Sequence, residues 1–357
     1  MTSIGRVRVD AVEGHASLDR PVAGHSSVRV LAYPAVTGPL AVGDVVWVTV
    51  TSLALDLGTG GYALVASPSA APPDPTGPGH LVKSRYSPLQ VAVQGADEQG
   101  SPHHSTLAGD VSLDGLPVVV ADLHSALPAV VAGVLDTRPA ARIVYVMTDG
   151  GALPMAFSRT VPALGKRLSG TVTCGQAFGG EIECVSLHSA LQASAVVLGA
   201  DVVVVSQGAG NLGTGTTWGF SGVAAGDAVN AVSVLGGRPI GALRLSDADP
   251  RPRHQGVSHH SLTAFGRVAL RSADLVVPAG LPAPLASLVS SQLAPLEPLH
   301  RVVSVPVDGL PAALAALDAD LRPAGASLST MGRGVDADTW YFLAAAAAGR
   351  HAASLLR

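Results

Sequence analysis

The sequence predicts an α/β protein with a mostly parallel, doubly wound (Rossmann-like) sheet, preceded by a small β-rich barrel or sandwich domain. From about residue 115 onward, short continuous Val/Ile/Leu runs alternate with longer helix-like segments, which is typical of a parallel sheet covered on both faces. Before residue 95 the apolar runs are short, rich in β-branched residues and separated by glycine turns. A chain of 357 residues is also longer than one core usually serves. We therefore expect a β-rich domain over 1–95 and an α/β domain with a C-terminal helix over 96–357.

The first domain is predicted from β-branched runs and turn residues. The runs lie at residues 7–12, 28–32, 45–51 and 62–66. The sequence Leu-Gly-Thr-Gly-Gly at 57–61 predicts a turn between the last two strands. Residues 68–79 are rich in Pro, Ala and Gly, which indicates a surface loop or linker.

The second domain is predicted from the alternation of strand and helix patterns. Strands are expected at 118–121, 143–147, 170–173, 202–206, 240–245, 275–278 and 302–306. Helices are expected between them, at 125–135, 155–168, 185–198, 222–235, 261–271, 284–292 and 310–321. A last helix is expected at 337–356, where a run of alanines suits close packing.

Composition narrows the class of protein. A net charge of −4 and 4% aromatic residues argue against a nucleic-acid partner. Mean hydropathy is +0.39, yet no apolar run approaches the roughly 20 residues that span a membrane. No signal peptide is visible and the two cysteines fit no zinc or disulfide framework. We expect a cytoplasmic protein without a membrane partner, and the low charged fraction of 13% suggests burial in a homo-oligomer.

Unusual polar residues follow the predicted strands rather than precede them. Asp122, Asp149, Cys174 and Gln207 each stand just after a strand, and residues 247–260 follow the next one. Open parallel sheets bind ligands outside the carboxyl ends of their strands, where loops and helix N-termini converge. The sequence therefore predicts a ligand pocket at this edge.

A glycine-rich loop at residues 207–222 is the most specific feature of this edge. Glycines let backbone N–H groups turn toward an anion, and threonine hydroxyls can add hydrogen bonds. Its helix begins late, it does not follow the first strand, and no acidic residue stands at the usual spacing, which weighs against a dinucleotide site. Loop packing or a dimer contact is the alternative. The predicted ligand-binding residues here are Gly208, Gly210, Asn211, Gly213, Thr214, Thr216 and Thr217.

A histidine group follows the fifth strand. His254, His259 and His260, together with Asp149 in a Thr-Asp-Gly-Gly segment, are candidates for proton transfer. Adjacent helical side chains point about 100° apart, and no H-E-x-x-H pattern is present. The sequence therefore assigns no metal ligands, and metal binding by these histidines stays an alternative. Helix capping by Ser258 and a turn at Asp149 are the structural alternatives.

Two arginines precede these histidines. Arg251 and Arg253 are predicted to clamp a carboxylate or phosphate, since guanidinium binds both with two parallel hydrogen bonds. Pairing with Asp247 and Asp249 is an equal alternative. A second histidine pair, His103 and His104, lies near the domain junction and its role stays open.

Several segments resemble one bacterial family, domain of unknown function 3866. They are residues 79–90, 101–104, 147–154, 213–222, 253–261 and 330–334, spread over most of the chain. The resemblance implies a shared architecture and a bacterial origin, which the Ala-, Gly- and Arg-rich composition also suggests. It implies no activity.

The function expected from the residues is binding of a small anionic metabolite at the carboxyl edge of the sheet. Two alternatives compete with it: a non-catalytic scaffold or ligand-sensing oligomer, and a metal-dependent hydrolase. Whether the protein is an enzyme, and which cofactor or substrate it takes, stays open from the sequence.

Overall fold

The computed structural model describes residues 12–22, 25–50, 61–68, 78–86 and 90–356. The strand predicted at 7–12, the turn predicted at 57–61 and the loop predicted at 68–79 lie mostly outside the described residues. In the parts of the chain that are described, no helix is both long and apolar enough to cross a bilayer.

The N-terminal part is a curled four-stranded sheet that forms a half-barrel. Its order is β1-β2-β4-β3, and β2 and β4 are parallel while the other neighbours are antiparallel. A separate antiparallel hairpin, β5–β6, follows it. The ranges are β1 Val12–Val22, β2 His25–Ala32, β3 Val46–Thr49, β4 Tyr62–Pro68, β5 Leu81–Lys83 and β6 Val91–Val93. The predicted β-rich N-terminal part is confirmed, whereas a domain boundary at residue 95 stays a prediction.

The remainder is built on an eight-stranded sheet in which every neighbouring pair is parallel. Its order is β10-β9-β8-β11-β7-β12-β15-β16. The strands are β7 Pro117–Ala121, β8 Ile143–Thr148, β9 Gly170–Thr173, β10 Ile182–Glu183, β11 Val202–Gln207, β12 Arg238–Ala242, β15 Asp274–Pro278 and β16 Arg301–Val305. Two small hairpins complete the set: β13 Leu245–Ser246 with β14 Gly256–Val257, and β17 Ser329–Thr330 with β18 Arg333–Gly334.

Helices cover both faces of this sheet, because alternate strand residues bury into two separate cores. Val119, Tyr145 and Val204 pack with α3, α9 and α10 in one core. Val118 and Val203 pack with α5, α6 and α8 in the other. The helices are α1 Pro34–Thr37, α2 His104–Leu107, α3 Leu127–Thr137, α4 Thr160–Leu164, α5 Leu187–Val196, α6 Ala225–Val234, α7 His259–Thr263, α8 Ala283–Leu293, α9 Leu310–Leu321 and α10 Thr339–Ser354. The predicted doubly wound α/β class is confirmed.

Two predicted helices differ from those observed. The segment 155–168 is broken into two 3₁₀ turns around α4, and Gly165, with φ +52°, stands where a helix cannot continue. The helix predicted from residue 261 begins two residues earlier, because the Ser258 hydroxyl accepts from the His260 N–H and starts α7 there.

The strand order reverses direction at the middle of the sheet. The chain leaves the central strand β7, runs outward through β8, β9 and β10, and returns to β11 between β8 and β7. It then continues through β12 to the opposite edge. Connections therefore reverse direction beside β7 and β11, and open α/β sheets generally bind ligands at such points, outside the carboxyl ends of their strands.

Helices α3 and α10 touch through their backbones. A methyl group at Gly133 would overlap the Ala346 carbonyl oxygen, and one at Gly349 would overlap the carbonyl oxygen of Val130. Glycine in a helix costs about 1 kcal/mol relative to alanine. Close backbone packing at the core must outweigh that cost here.

The substitution Gly349→Ala is expected to lower the free energy of unfolding by about 1–3 kcal/mol, the usual penalty of overpacking. Denaturant unfolding followed by circular dichroism measures it. Gly109→Ala is the matched control, because nothing lies within 4 Å of the added methyl. Equal stability of the two variants would contradict the close packing of α3 and α10.

Candidate functional site: a histidine centre

Three histidines converge at the carboxyl edge beside β12. His254, His259 and His260 each offer a ring nitrogen, and these nitrogens lie within 4.8 Å of one another. Zinc–nitrogen bonds of about 2.1 Å in tetrahedral geometry separate ligand atoms by about 3.4 Å. Small side-chain rotations would thus bring all three nitrogens onto one ion.

The chain positions these rings with a cap and a stacked phenyl group. His254 lies in a 3₁₀ turn before β14, and His259 and His260 open α7. Ser258 Oγ lies 2.7 Å from His254 Nδ1 and accepts from the His260 N–H, so one hydroxyl holds two members. Phe220 stacks on His260 at a centroid distance of 3.9 Å and an interplanar angle of 4°. When His254 donates from Nδ1 to Ser258, its Nε2 lone pair is free for a metal.

Unpartnered polar atoms concentrate at this centre. Among the described residues five buried side-chain nitrogen or oxygen atoms have no hydrogen-bond partner, and they include Asp122 Oδ2, His259 Nε2 and His260 Nδ1. Asp122 directly follows β7, and its Oδ2 lies 4.0 Å from His260 Nδ1. Buried polar groups are nearly always satisfied, so such a concentration indicates a missing partner.

Burial keeps these histidines neutral. Burial, reinforced by nearby positive charge, lowers the pKa of both His254 and His260 to about 3, and it lowers the pKa of His259 as well. Neutral imidazole is the form that binds a metal. Burial also raises the pKa of Asp122 to about 6, and the charge of Arg244 opposes this rise.

An ion-pair network lies next to the centre. Buried Asp249 receives Arg251 through two hydrogen bonds of 2.8 and 2.7 Å, and it also contacts Arg244 and Arg333. Of the two alternatives for Arg251, pairing with Asp249 is therefore the one observed. Arg253 is exposed and forms no hydrogen bond or ion pair with any described residue.

The glycine-rich loop is closed mainly by its own polar groups. The hydroxyls of Thr214 and Thr216 lie 3.0 Å apart, and Thr216 also accepts from the Gly219 N–H. Asn211 Oδ1 accepts from Gln207, Ser221 and Gly222. Gly213 pairs with Phe220 across the loop, while Thr217 is exposed. The loop thus brings Phe220 to the histidines, and anion binding by its predicted residues stays untested.

Other predicted residues lie outside the histidine centre. Asp149 Oδ2 accepts from the Gln176 N–H at 2.8 Å and fills the space beside Gly175, which fits a turn former. The loop glycines Gly208 and Gly210 pack their carbonyls against Gly151. Of the second histidine pair, His104 binds the Asp97 carbonyl oxygen through Nδ1 and His103 precedes α2.

The sequence places Asp122 at the predicted ligand edge and Ser258 as a helix cap, but it does not assign Asp122, Ser258 or Phe220 to the histidine centre. The available signal was topological. Asp122 is the residue at the exit of the central strand, and β7 and β12 are hydrogen-bonded neighbours, so Asp122 faces the segment that follows β12.

The fold and this centre define the chain as an α/β protein with an open parallel sheet and a histidine-lined site at its carboxyl edge. A family model described as "Protein of unknown function (DUF3866)" matches residues 29–349. The chain belongs to this family, which confirms the resemblance noted in the sequence. No curated protein and no solved structure matches the chain significantly.

Proposed function

We propose that the protein is a metal-dependent hydrolase acting on a small anionic substrate, with a divalent transition metal, zinc foremost, held by His254, His259 and His260. The observation that carries the proposal is the convergence of three ring nitrogens within 4.8 Å at the carboxyl edge. Imidazole suits zinc, and three protein ligands with one open position are typical of catalytic rather than structural zinc sites.

The chemistry assigned to the site is hydrolysis. A bound zinc ion would lower the pKa of a coordinated water to about 7 and polarise the bond to be cleaved. Asp122 Oδ2 lies 4.0 Å from His260 Nδ1, and in this proposal its carboxylate would take the proton that a zinc-bound water releases. Water adds its hydroxyl group to one product, and the proton ends on the other.

The test compares zinc-loaded and chelator-treated protein on chromogenic phosphate monoesters, phosphodiesters and carboxylic esters. We expect hydrolysis of at least one class with zinc, restored to the treated protein by added zinc. Asp122→Asn should reduce the rate about 10²–10⁴-fold, the usual contribution of general acid–base catalysis. Asp110→Asn, at an exposed position, is the matched control and should keep full activity. Equal rates with and without zinc would overturn the proposal.

Other parts of the sequence-based interpretation stay predictions. These are a homo-oligomer, a cytoplasmic location and the absence of a nucleic-acid partner. A ligand-sensing role without catalysis is the second reading of the same site, and it requires metal or ligand binding without turnover. No contact among the described residues favours it over hydrolysis.

A further inference from the structure

We propose that Arg253 binds an acidic group of the substrate, a carboxylate or a phosphate, at the mouth of the histidine centre. This inference rests on the proposed function for its setting, but its test does not depend on turnover. It concerns a residue that makes no ion pair in its own chain, among the residues that the structure describes.

Arg253 differs from the other arginines near the site in having no carboxylate partner among the described residues. Arg244, Arg251 and Arg333 all contact Asp249, and Arg333 also contacts Asp338. These neighbours are held in place and spend their hydrogen bonds inside the protein. Arg253 is exposed and forms no such contact with a described residue, so its donors are available to a ligand.

The position of Arg253 relative to the histidines also favours this role. His254 and His260 are buried while His259 is partly exposed, so His259 is the member of the centre that reaches solvent. After burial, the positive charge of Arg253 is the largest cause of the lowered pKa of His259. The Arg253 side chain also lies against Gly215, since a Cβ added to this glycine would be 3.7 Å from Arg253 Cζ.

The net charge of the groups around the histidine centre also favours an anionic ligand. The network beside the centre holds three guanidinium groups on two carboxylates, Asp249 and Asp338. A further cation at the histidines and the charge of Arg253 would leave a positive site. Asp122 compensates one charge only, so the site would attract an anionic ligand. Guanidinium binds the planar oxygens of carboxylate or phosphate through two parallel hydrogen bonds.

The experiment measures anion binding to the zinc-loaded protein through the rise in melting temperature, since a ligand of the native state stabilises it. Inorganic phosphate and acetate are titrated separately at constant ionic strength, with chloride as the reference. The two anions distinguish a phosphate from a carboxylate substrate. We expect one of them to raise the melting temperature of the wild type more than chloride does.

Arg253→Gln should weaken the binding of that anion at least about tenfold. This factor corresponds to the loss of one charged hydrogen bond of about 1.4 kcal/mol or more. Arg253→Lys should recover part of the binding, because it keeps the charge without the fork geometry. Arg271→Gln, at an exposed arginine outside the site, is the control and should bind like the wild type. Equal anion binding by Arg253→Gln and wild type, or no specific anion effect on the wild type, would overturn the inference.

Zinc affinity of the same variants separates the two proposals. Arg253→Gln should bind zinc as the wild type does, because Arg253 is not a ligand. If the wild type binds no zinc, the proposed function fails. The anion titration on the metal-free protein then still decides whether Arg253 is a binding residue.

Discussion

His259→Gln is expected to weaken zinc binding by at least about 100-fold. Losing a group that only orients a metal ligand already costs up to about 100-fold in affinity, and losing a ligand itself should cost at least as much. Glutamine keeps the approximate volume but removes the imidazole nitrogen. His259 is the best of the three positions for this test because it is partly exposed, whereas His254 and His260 are buried. Competition with a chromophoric chelator measures the affinity.

The control for this variant is His188→Gln, since His188 is exposed on α5 and lies outside the histidine centre. Wild type and control should bind one zinc ion each, and zinc at 100 times its dissociation constant should stabilise both by about 2.7 kcal/mol. At that concentration His259→Gln should be at most about half occupied and stabilised by at most about 0.4 kcal/mol. Zinc binding unchanged in His259→Gln would refute the three-histidine centre.

The sheet was predictable because its strands are continuous apolar runs. Residues 170–173 were assigned to a strand and the structure has β9 at Gly170–Thr173. The strand β10 was missed, because Ile182–Glu183 is two residues long and pairs with β9 only through the tertiary path of its loop. A helix was predicted across Gly165 from its apolar neighbours, although the local backbone there favours a turn.

The site was predictable in location but not in geometry. The reasoning that adjacent histidines diverge by about 100° applies to the Cα–Cβ directions. Side-chain rotation at the first turn of α7 leaves the ring centroids of His259 and His260 4.4 Å apart. Contact with Phe220 and the approach of His254 depend on how distant loops pack. A single sequence does not specify those distances.

A second large effect, on stability, is expected where the β5–β6 hairpin meets the eight-stranded sheet. Lys83, on β5, is buried, with Nζ 3.2 Å from Glu183 Oε2 on β10. Its ammonium group also donates to the carbonyl oxygens of Ala177 and Cys184 at 2.8 and 2.9 Å. Glu183 further accepts from Thr173 Oγ1 at 2.6 Å. Both charges are thus fully hydrogen-bonded, which is the condition for a buried ion pair to be tolerated.

Lys83→Met should lower the free energy of unfolding by about 3–5 kcal/mol, because it leaves a buried carboxylate without its counter-charge. Denaturant unfolding measures the change. Lys166→Met is a matched control, since the second lysine of the chain is exposed and should matter little. Adding Glu183→Gln to Lys83→Met should recover part of the loss, as it removes the unpaired charge. A loss below about 1 kcal/mol, the range of exposed pairs, would contradict the buried pair.

The cost of Lys83→Met should also depend on pH. Burial raises the pKa of Glu183, and the charge of Lys83 opposes that rise. Without Lys83 the folded-state pKa climbs further above the unfolded value of about 4.3, so the folded protein takes up a proton more readily than the unfolded chain. The destabilisation relative to wild type is then fully present above the folded pKa and shrinks as pH falls toward the unfolded value. A stability gap that is equal at pH values of about 5 and about 8 would show that lost packing, rather than an unpaired carboxylate, causes the effect.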